Sequence, residues 1–154
     1  MKEGPDSRLE LKARALGLLA RREHSRVELA RKLAGRAESA ENLTALLDEL
    51  EARGQLSDGR YAEQRTNTLA RRYGSGRIRQ ELRAKGVDEA LASAAIREAQ
   101  ADDLERARRI LARKYREPAV DREEHARRAR FLQGRGFSFD VIKQALKVDP
   151  EEGH

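Results

Sequence analysis

Apolar residues along this chain recur three and four positions apart, in short segments separated by joints of Gly, Ser and Pro. That spacing predicts amphipathic helices throughout. A first helix is expected over 9–22, with Leu9, Ala13, Leu16 and Ala20 on one stripe and Leu18 and Leu19 widening it. Ser25-Arg26-Val27-Glu28 has the order of a capping box, in which the Ser side chain accepts a backbone N–H and the Glu side chain reaches back. It opens a helix to about Ala34 with Leu29 and Leu33 inward. A loop over 35–39 leads to a helix over 40–53, whose Leu43, Leu46, Leu47 and Leu50 share a face. Gly54 is placed to end it in the left-handed conformation.

The pattern then repeats. Ser57-Asp58 is an N-cap pair before a helix over 58–72 that puts Tyr61, Leu69 and Tyr73 near one face. A second helix over 76–85 offers Ile78 and Leu82. Gly86-Val87-Asp88 leads into a third, to about Ala99, carrying Leu91, Ala92, Ala95 and Ile96. A third round has helices over 102–116, 122–135 and 138–147, the first stopped by Glu117-Pro118. Its Gly136-Phe137-Ser138 mirrors Gly86-Val87-Asp88 fifty residues on, and Val141, Ile142 and Leu146 mirror Leu91, Ala92 and Ile96. In both joints the apolar residue before the cap can staple onto the helix, Val87 to Ala92 and Phe137 to Ile142. The first round fits less closely. Leu29 and Leu33 align with Ile78 and Leu82 at an offset of 49, and its second joint is longer.

The expectation is therefore an all-α protein of three tandem three-helix, helix-turn-helix-like repeats, at 9–56, 57–101 and 102–148. Flexible tails are expected at 1–8 and 149–154, the second of them acidic. Each repeat holds too few core residues to stand alone, so neighbours should support one another in an elongated arrangement.

Composition agrees. Leu and Ala dominate and aromatics make up only 4%, which suits helices and disfavours sheets. Charged residues reach 39%, yet the apolar positions are periodic, which argues against disorder. No apolar run approaches the ~20 residues of a membrane span, so no membrane partner is expected. With no Cys there is neither a disulfide nor a thiolate metal site. Glu10, Lys12 and Arg14 interrupt what would otherwise be a signal core, which makes a cytoplasmic protein the default.

Charge narrows the function classes. The formal net charge is +6, and the stretch from Arg60 to Lys85 alone carries eight basic and two acidic residues. Arg outnumbers Lys, which favours bidentate contact with phosphate or carboxylate. Against this, the acids are interleaved with the bases, and most charges are expected to form solvated helix faces. Catalysis finds no footing. His24, His125 and His154 are scattered, Glu123-Glu124-His125 reads as an exposed helix start, and Gly74-Ser75-Gly76 lacks the further Gly and preceding strand of a dinucleotide loop. Asn42-Leu43-Thr44 matches a glycosylation acceptor but falls in a helix. No enzyme activity, metal or cofactor is expected. The binding candidates are Arg65, Arg71, Arg72, Arg77, Arg79, Arg83 and Lys85 in the central strip, with Arg127, Arg128, Arg130 and Arg135 further on. Tyr61 and Tyr73 are expected to pack rather than to face a partner, and Phe139 is the Phe placed for exposure.

HSRVELARKL (24–33), LLDELEARGQLSDGRYAEQ (46–64), YGSGRIRQELRAKGVD (73–88) and RARFLQGRGFSFDVIKQAL (128–146) together resemble the RecX family, bacterial regulators of the recombinase RecA. The resemblance runs over nearly all of residues 11–148. Two departures stand out: Ser75 where family members often have Pro, and Ala34-Gly35-Arg36 where they often have Lys-Gly. The resemblance implies tandem three-helix repeats in a curved arrangement. It also implies a negative modulator that binds the RecA nucleoprotein filament along its groove and inhibits ATP hydrolysis, strand exchange and filament growth, within DNA repair, recombination and the SOS response. The partners so implied are RecA and the RecA–DNA filament, with single- or double-stranded DNA bound directly as the alternative, in the manner of a helix-turn-helix regulator. Monomer and dimer both stay open, and no contact residue is carried over from the family.

Overall fold

The computed structural model describes residues 4–147. The tail expected over 149–154, His154 with it, lies outside the described residues. Those residues form nine α-helices and one 3-10 turn, with no strand. The helices are α1 (Arg8–Arg21), α2 (Arg26–Leu33), α3 (Ala40–Ala52), α4 (Asp58–Leu69), α5 (Ser75–Ala84), α6 (Glu89–Ala101), α7 (Asp103–Lys114), α8 (Arg122–Gly134) and α9 (Phe139–Leu146). The 3-10 turn, Ala34–Arg36, follows α2. Two compact units emerge: one runs through Gln64 and takes in Leu82–Ala92, and the other joins Arg65–Glu81 to the chain from Ser93.

In the first unit the core is Leu11, Ala15, Leu29, Leu33, Leu46, Leu47, Leu50 and Leu56, with Leu16, Leu18, Leu19 and Leu43 against it. Each Leu removed from water contributes about 1.5–3 kcal/mol, so these side chains dominate the unit's stability. The face of α1 differs from the expected stripe. Leu11 and Ala15 are buried while Leu9 is 81% exposed and Ala13 and Ala20 are exposed. Both stripes have helical period, but the one through Leu11, Ala15, Leu18 and Leu19 carries more apolar bulk.

The loose segment expected through residue 8 does not reach Asp6. Asp6 is buried, its Oδ2 accepts from Arg14 Nε at 2.8 Å and its Oδ1 from Arg36 Nη2 at 2.7 Å, and its N–H donates to the Arg36 carbonyl. The two guanidinium groups hold the Asp6 pKa down to about 2. Ser7 then caps α1 in a full capping box with Glu10. The capping box expected at Ser25 forms by half. Ser25 Oγ accepts the Glu28 N–H at 3.0 Å, but the Glu28 carboxylate turns to Arg22, bound at 2.6 and 3.0 Å. Burial opposes the Glu28 charge and the Arg22 bonds outweigh it, so its pKa is lowered. At Ser57-Asp58 only Ser57 caps α4, accepting the Arg60 N–H; Asp58 Oδ1 instead accepts the Arg26 N–H at the start of α2, at 2.7 Å.

The second unit has its core at Ala107, Leu111, Leu132, Phe137 and Ile142, with Ile110, Tyr115, Phe131, Val141 and Leu146 around it. α4 ends at Leu69 rather than 72, because Ala70–Arg72 form a turn. In α3, α5 and α8 the chain leaves the helix by one device. Gly54, Gly86 and Gly136 take positive φ of 73°, 76° and 94°, and the N–H after each donates back to Leu50, Leu82 and Leu132 respectively. This is the Schellman ending, which needs the left-handed conformation that Gly adopts without a Cβ penalty.

Candidate polyanion-binding groove

The turn after α4, the C-terminal half of α7 and the end of α8 bring cations together in the second unit. Arg71, Arg72, Arg113, Lys114 and Arg135 line one open depression over Ile110 and Phe131. Arg71 and Arg113 also border a second one with Arg106 and Arg109. Arg71, Arg72 and Arg113 are exposed and have no acidic partner among the described residues.

Aromatic faces hold several of these cations in place. Arg77 lies 5.2 Å and Arg135 5.6 Å from the Tyr73 ring centre. Arg135 also lies 5.1 Å from the Phe131 ring, which Lys114 covers at 4.2 Å. Lys114 is 5.8 Å from Tyr115, and Arg128 lies 4.5 Å from that ring. Tyr115 and Phe131 meet edge to face, with centroids 6.0 Å apart at 83°. The result is a ladder in which cations alternate with rings. Each contact is worth about 0.5–1 kcal/mol at an exposed site. A guanidinium held over a ring has N–H donors that a carboxylate partner would otherwise occupy; Arg135 spends one of them on the Arg72 carbonyl, at 3.3 Å.

The structure sorts the sequence candidates. Arg71, Arg72, Arg77 and Arg135 belong to the groove or its ladder. Arg65 pairs with Glu81 at 3.2 Å, and Arg79 donates to Ser93 Oγ at 3.0 Å. Arg127 and Arg130 are exposed on α8. Arg128 is only 9% exposed and serves the fold: its Nη2 donates to Glu124 and to the Glu117 carbonyl, each at 2.7 Å. That bond lowers the Glu124 pKa. Arg83 and Lys85 lie in the first unit, where Arg83 meets Glu89 at 3.4 Å and Lys85 lies 3.9 Å from Glu28. Reading the sequence for charge density missed Arg109, Arg113 and Lys114. Cation–aromatic spacing was the available signal, since Tyr73/Arg77 and Phe131/Arg135 are both i, i+4 pairs and Lys114 adjoins Tyr115.

Among the described residues no cluster of His, Asp and Glu could hold a metal, and no helix is long and apolar enough to cross a membrane. His24 is buried, with Nδ1 3.1 Å from the Arg22 carbonyl and Nε2 2.9 Å from Lys32 Nζ. Tyr61 is buried and Tyr73 half-buried, while Phe139 is 78% exposed.

Two family models match the chain: "RecX, second three-helix domain" over residues 57–96 and "RecX, third three-helix domain" over residues 101–146. The regulatory protein RecX of Leptothrix cholodnii is 47% identical over 147 residues, covering 95% of this chain and 94% of that one. That of Ralstonia nicotianae is 42% identical over 143 residues, covering 93% and 90%. The crystal structure of RecX from Lactobacillus salivarius superposes with a TM-score of 0.76 at 22% identity, over 90% of this chain and 94% of that one, a likeness that speaks for the fold. Fold and relatives define a regulatory protein built of tandem three-helix domains, not an enzyme. The chain belongs to the RecX family.

Proposed function

We propose that this protein is a negative modulator of RecA. It binds the RecA–DNA filament and holds down ATP hydrolysis, strand exchange and filament growth, acting in the cytoplasm in DNA repair, recombination and the SOS response. Membership of a family of regulatory proteins named RecX supports the regulatory role. The observation that carries the polyanionic target is the cation–aromatic ladder, which presents Arg77, Lys114 and Arg135 on ring faces beside the unpaired Arg71, Arg72 and Arg113. Repeated contacts along a filament add through effective concentration, so modest single contacts suffice.

The test is RecA ATPase on single-stranded DNA with this protein added at near-stoichiometric amounts. Suppression is expected, and unchanged turnover would contradict the proposal. The ladder also suits the phosphates of free DNA, which supports a second reading as a direct DNA binder. Titrating labelled single- and double-stranded DNA with and without RecA separates the two. Tight, salt-sensitive binding to DNA alone favours the second.

A further inference from the structure

The cations of the second unit's groove are arginines with a single exception. Arg71, Arg72, Arg113 and Arg135 line the depression over Ile110 and Phe131, and Arg106 and Arg109 border the one beside it. Lys114 is the one amine among them. The difference is chemical. A guanidinium stays protonated, whereas a lysine amine becomes a nucleophile once it gives up its proton.

Lys114 ends α7 and is exposed. It has no carboxylate partner among the described residues, and its Nζ lies 4.2 Å from the Phe131 ring centre and 5.8 Å from that of Tyr115. A contact of this kind is worth about 0.5–1 kcal/mol at an exposed site, so the amine leaves the ring at little cost. The other described lysines are placed differently. Lys12 pairs with Glu49 at 3.1 Å, Lys85 lies 3.9 Å from Glu28, and Lys32 lies 2.9 Å from His24 Nε2. Lys143 and Lys147 are exposed at α9 and line neither of the two depressions. Only Lys114 shares a depression with Arg71, Arg72 and Arg113, which have no acidic partner among the described residues.

We propose that Lys114 is an acetylation site whose acetyl donor is an acyl phosphate. The phosphate of the donor binds the guanidinium groups of Arg71, Arg72 and Arg113 through charge-assisted hydrogen bonds. Its acetyl group then lies on the apolar floor of Ile110 and Phe131, inside the depression of about 260 Å³ that Lys114 also lines. Holding the two reactants together speeds the transfer without a catalytic residue. The neutral Lys114 amine attacks the acetyl carbonyl. The new C–N bond forms as the bond from the carbonyl carbon to the phosphate oxygen breaks. Inorganic phosphate leaves with that electron pair and takes the proton that the nitrogen sheds. The product is an uncharged amide, which loses both the cation and its contacts with the rings. Acetylation thereby removes one cation from the groove and weakens its hold on a polyanion. That consequence rests on the filament reading, whereas the modification itself does not.

The test is site-resolved mass spectrometry of the full chain treated with acetyl phosphate, without RecA or DNA. Lys114 should be acetylated about tenfold or more faster than Lys143 and Lys147, the lower end of what a charged cleft gains by concentrating its counter-ion. The uncharged reagent N-acetoxysuccinimide should lose this preference. Inorganic phosphate should slow the Lys114 reaction more than sodium chloride does at the same ionic strength, and Arg71→Gln/Arg113→Gln should slow it too. Lys114 reacting no faster than Lys143 and Lys147, a preference that the uncharged reagent shares, or phosphate that slows all sites alike overturns the proposal. The regulatory consequence is read separately, in RecA ATPase inhibition by Lys114→Gln and Lys114→Arg. Lys114→Gln should inhibit less than wild type, and Lys114→Arg as well as wild type. Equal inhibition by Lys114→Gln overturns the regulation. Absence of inhibition by wild type overturns the filament reading and the regulation with it, and leaves the acetylation result standing.

Discussion

Gly136 lies directly against the backbone of Arg77. A β-carbon on Gly136 would come 2.4 Å from Arg77 Cβ and 2.5 Å from the Arg77 nitrogen. The same contact is bonded from the other side, as Gly76 N–H donates to the Gly136 carbonyl at 3.0 Å. The joint after α8 and the start of α5 are therefore locked, and they carry the Tyr73, Arg77 and Arg135 side of the groove.

Gly136→Ala combines positive φ with a backbone clash and should cost about 2–4 kcal/mol. Gly134 is the contrast. It is helical and nothing lies within 4 Å of a β-carbon placed on it, so Gly134→Ala should stabilise by about 0.5–1 kcal/mol. Urea unfolding of both variants checks the pair. Equal stability of the two would contradict the locked joint.

Arg128 and Arg127 are neighbours in sequence with opposite roles. Arg128→Ala removes a buried partner of Glu124 and of the Glu117 carbonyl and should destabilise by about 3 kcal/mol. Arg127→Ala, on the exposed face of α8, should stay within about 0.5 kcal/mol of wild type. Chemical denaturation separates them, and a mild Arg128→Ala would show that its bonds are dispensable.

Acid should loosen the first unit through Asp6. Its folded pKa of about 2 lies below its ordinary 3.8, so its stabilisation is present above 3.8 and is lost as pH falls toward about 2. Asp6→Asn should therefore be less stable than wild type at neutral pH, and the gap should close as the solution approaches pH about 2. Melting curves over that range test it. A gap independent of pH would mean that packing, not the Arg14 and Arg36 bonds, is what the substitution removes.

His24 acts in a higher window. Burial first, then the charges of Arg22 and Lys32, lower its pKa beneath 6.5, against the opposing bond to the Arg22 carbonyl. The neutral ring is the one that Lys32 Nζ can donate to. Its contribution is thus complete above pH 6.5 and falls as pH drops below that value toward the folded pKa. Imidazole titration by NMR should find His24 below 6.5, and His24→Gln should flatten the stability profile there. A titration above 6.5 would reverse the assignment.

The helices were legible because period, Ser caps and left-handed glycines all speak locally. Leu29, Leu33, Ile78 and Leu82 are fully buried as their spacing predicts. What the sequence left open is decided by tertiary choice. Either stripe of α1 could have turned inward, and packing selected Leu11 over Leu9. Asp58 and Asp6 look like helix-start and tail residues, yet partners 32 and 30 residues away in sequence, Arg26 and Arg36, claim them. Charge density found half of the groove but also counted Arg128, because burial of an Arg is invisible until its neighbours are known. It passed over Lys114, whose place is set by the Phe131 ring.

The RecA inhibition proposed above is assigned to the cationic groove of the second unit. The most direct measurement is RecA ATPase on single-stranded DNA titrated with wild type, with Arg71→Glu/Arg113→Glu, and with Arg21→Glu/Arg97→Glu as a charge-matched control at exposed positions on α1 and α6. The groove variant should lose most of the inhibition at unchanged helicity, while the control inhibits as wild type does. Full inhibition by the groove variant, or equal loss in the control, would contradict the claim.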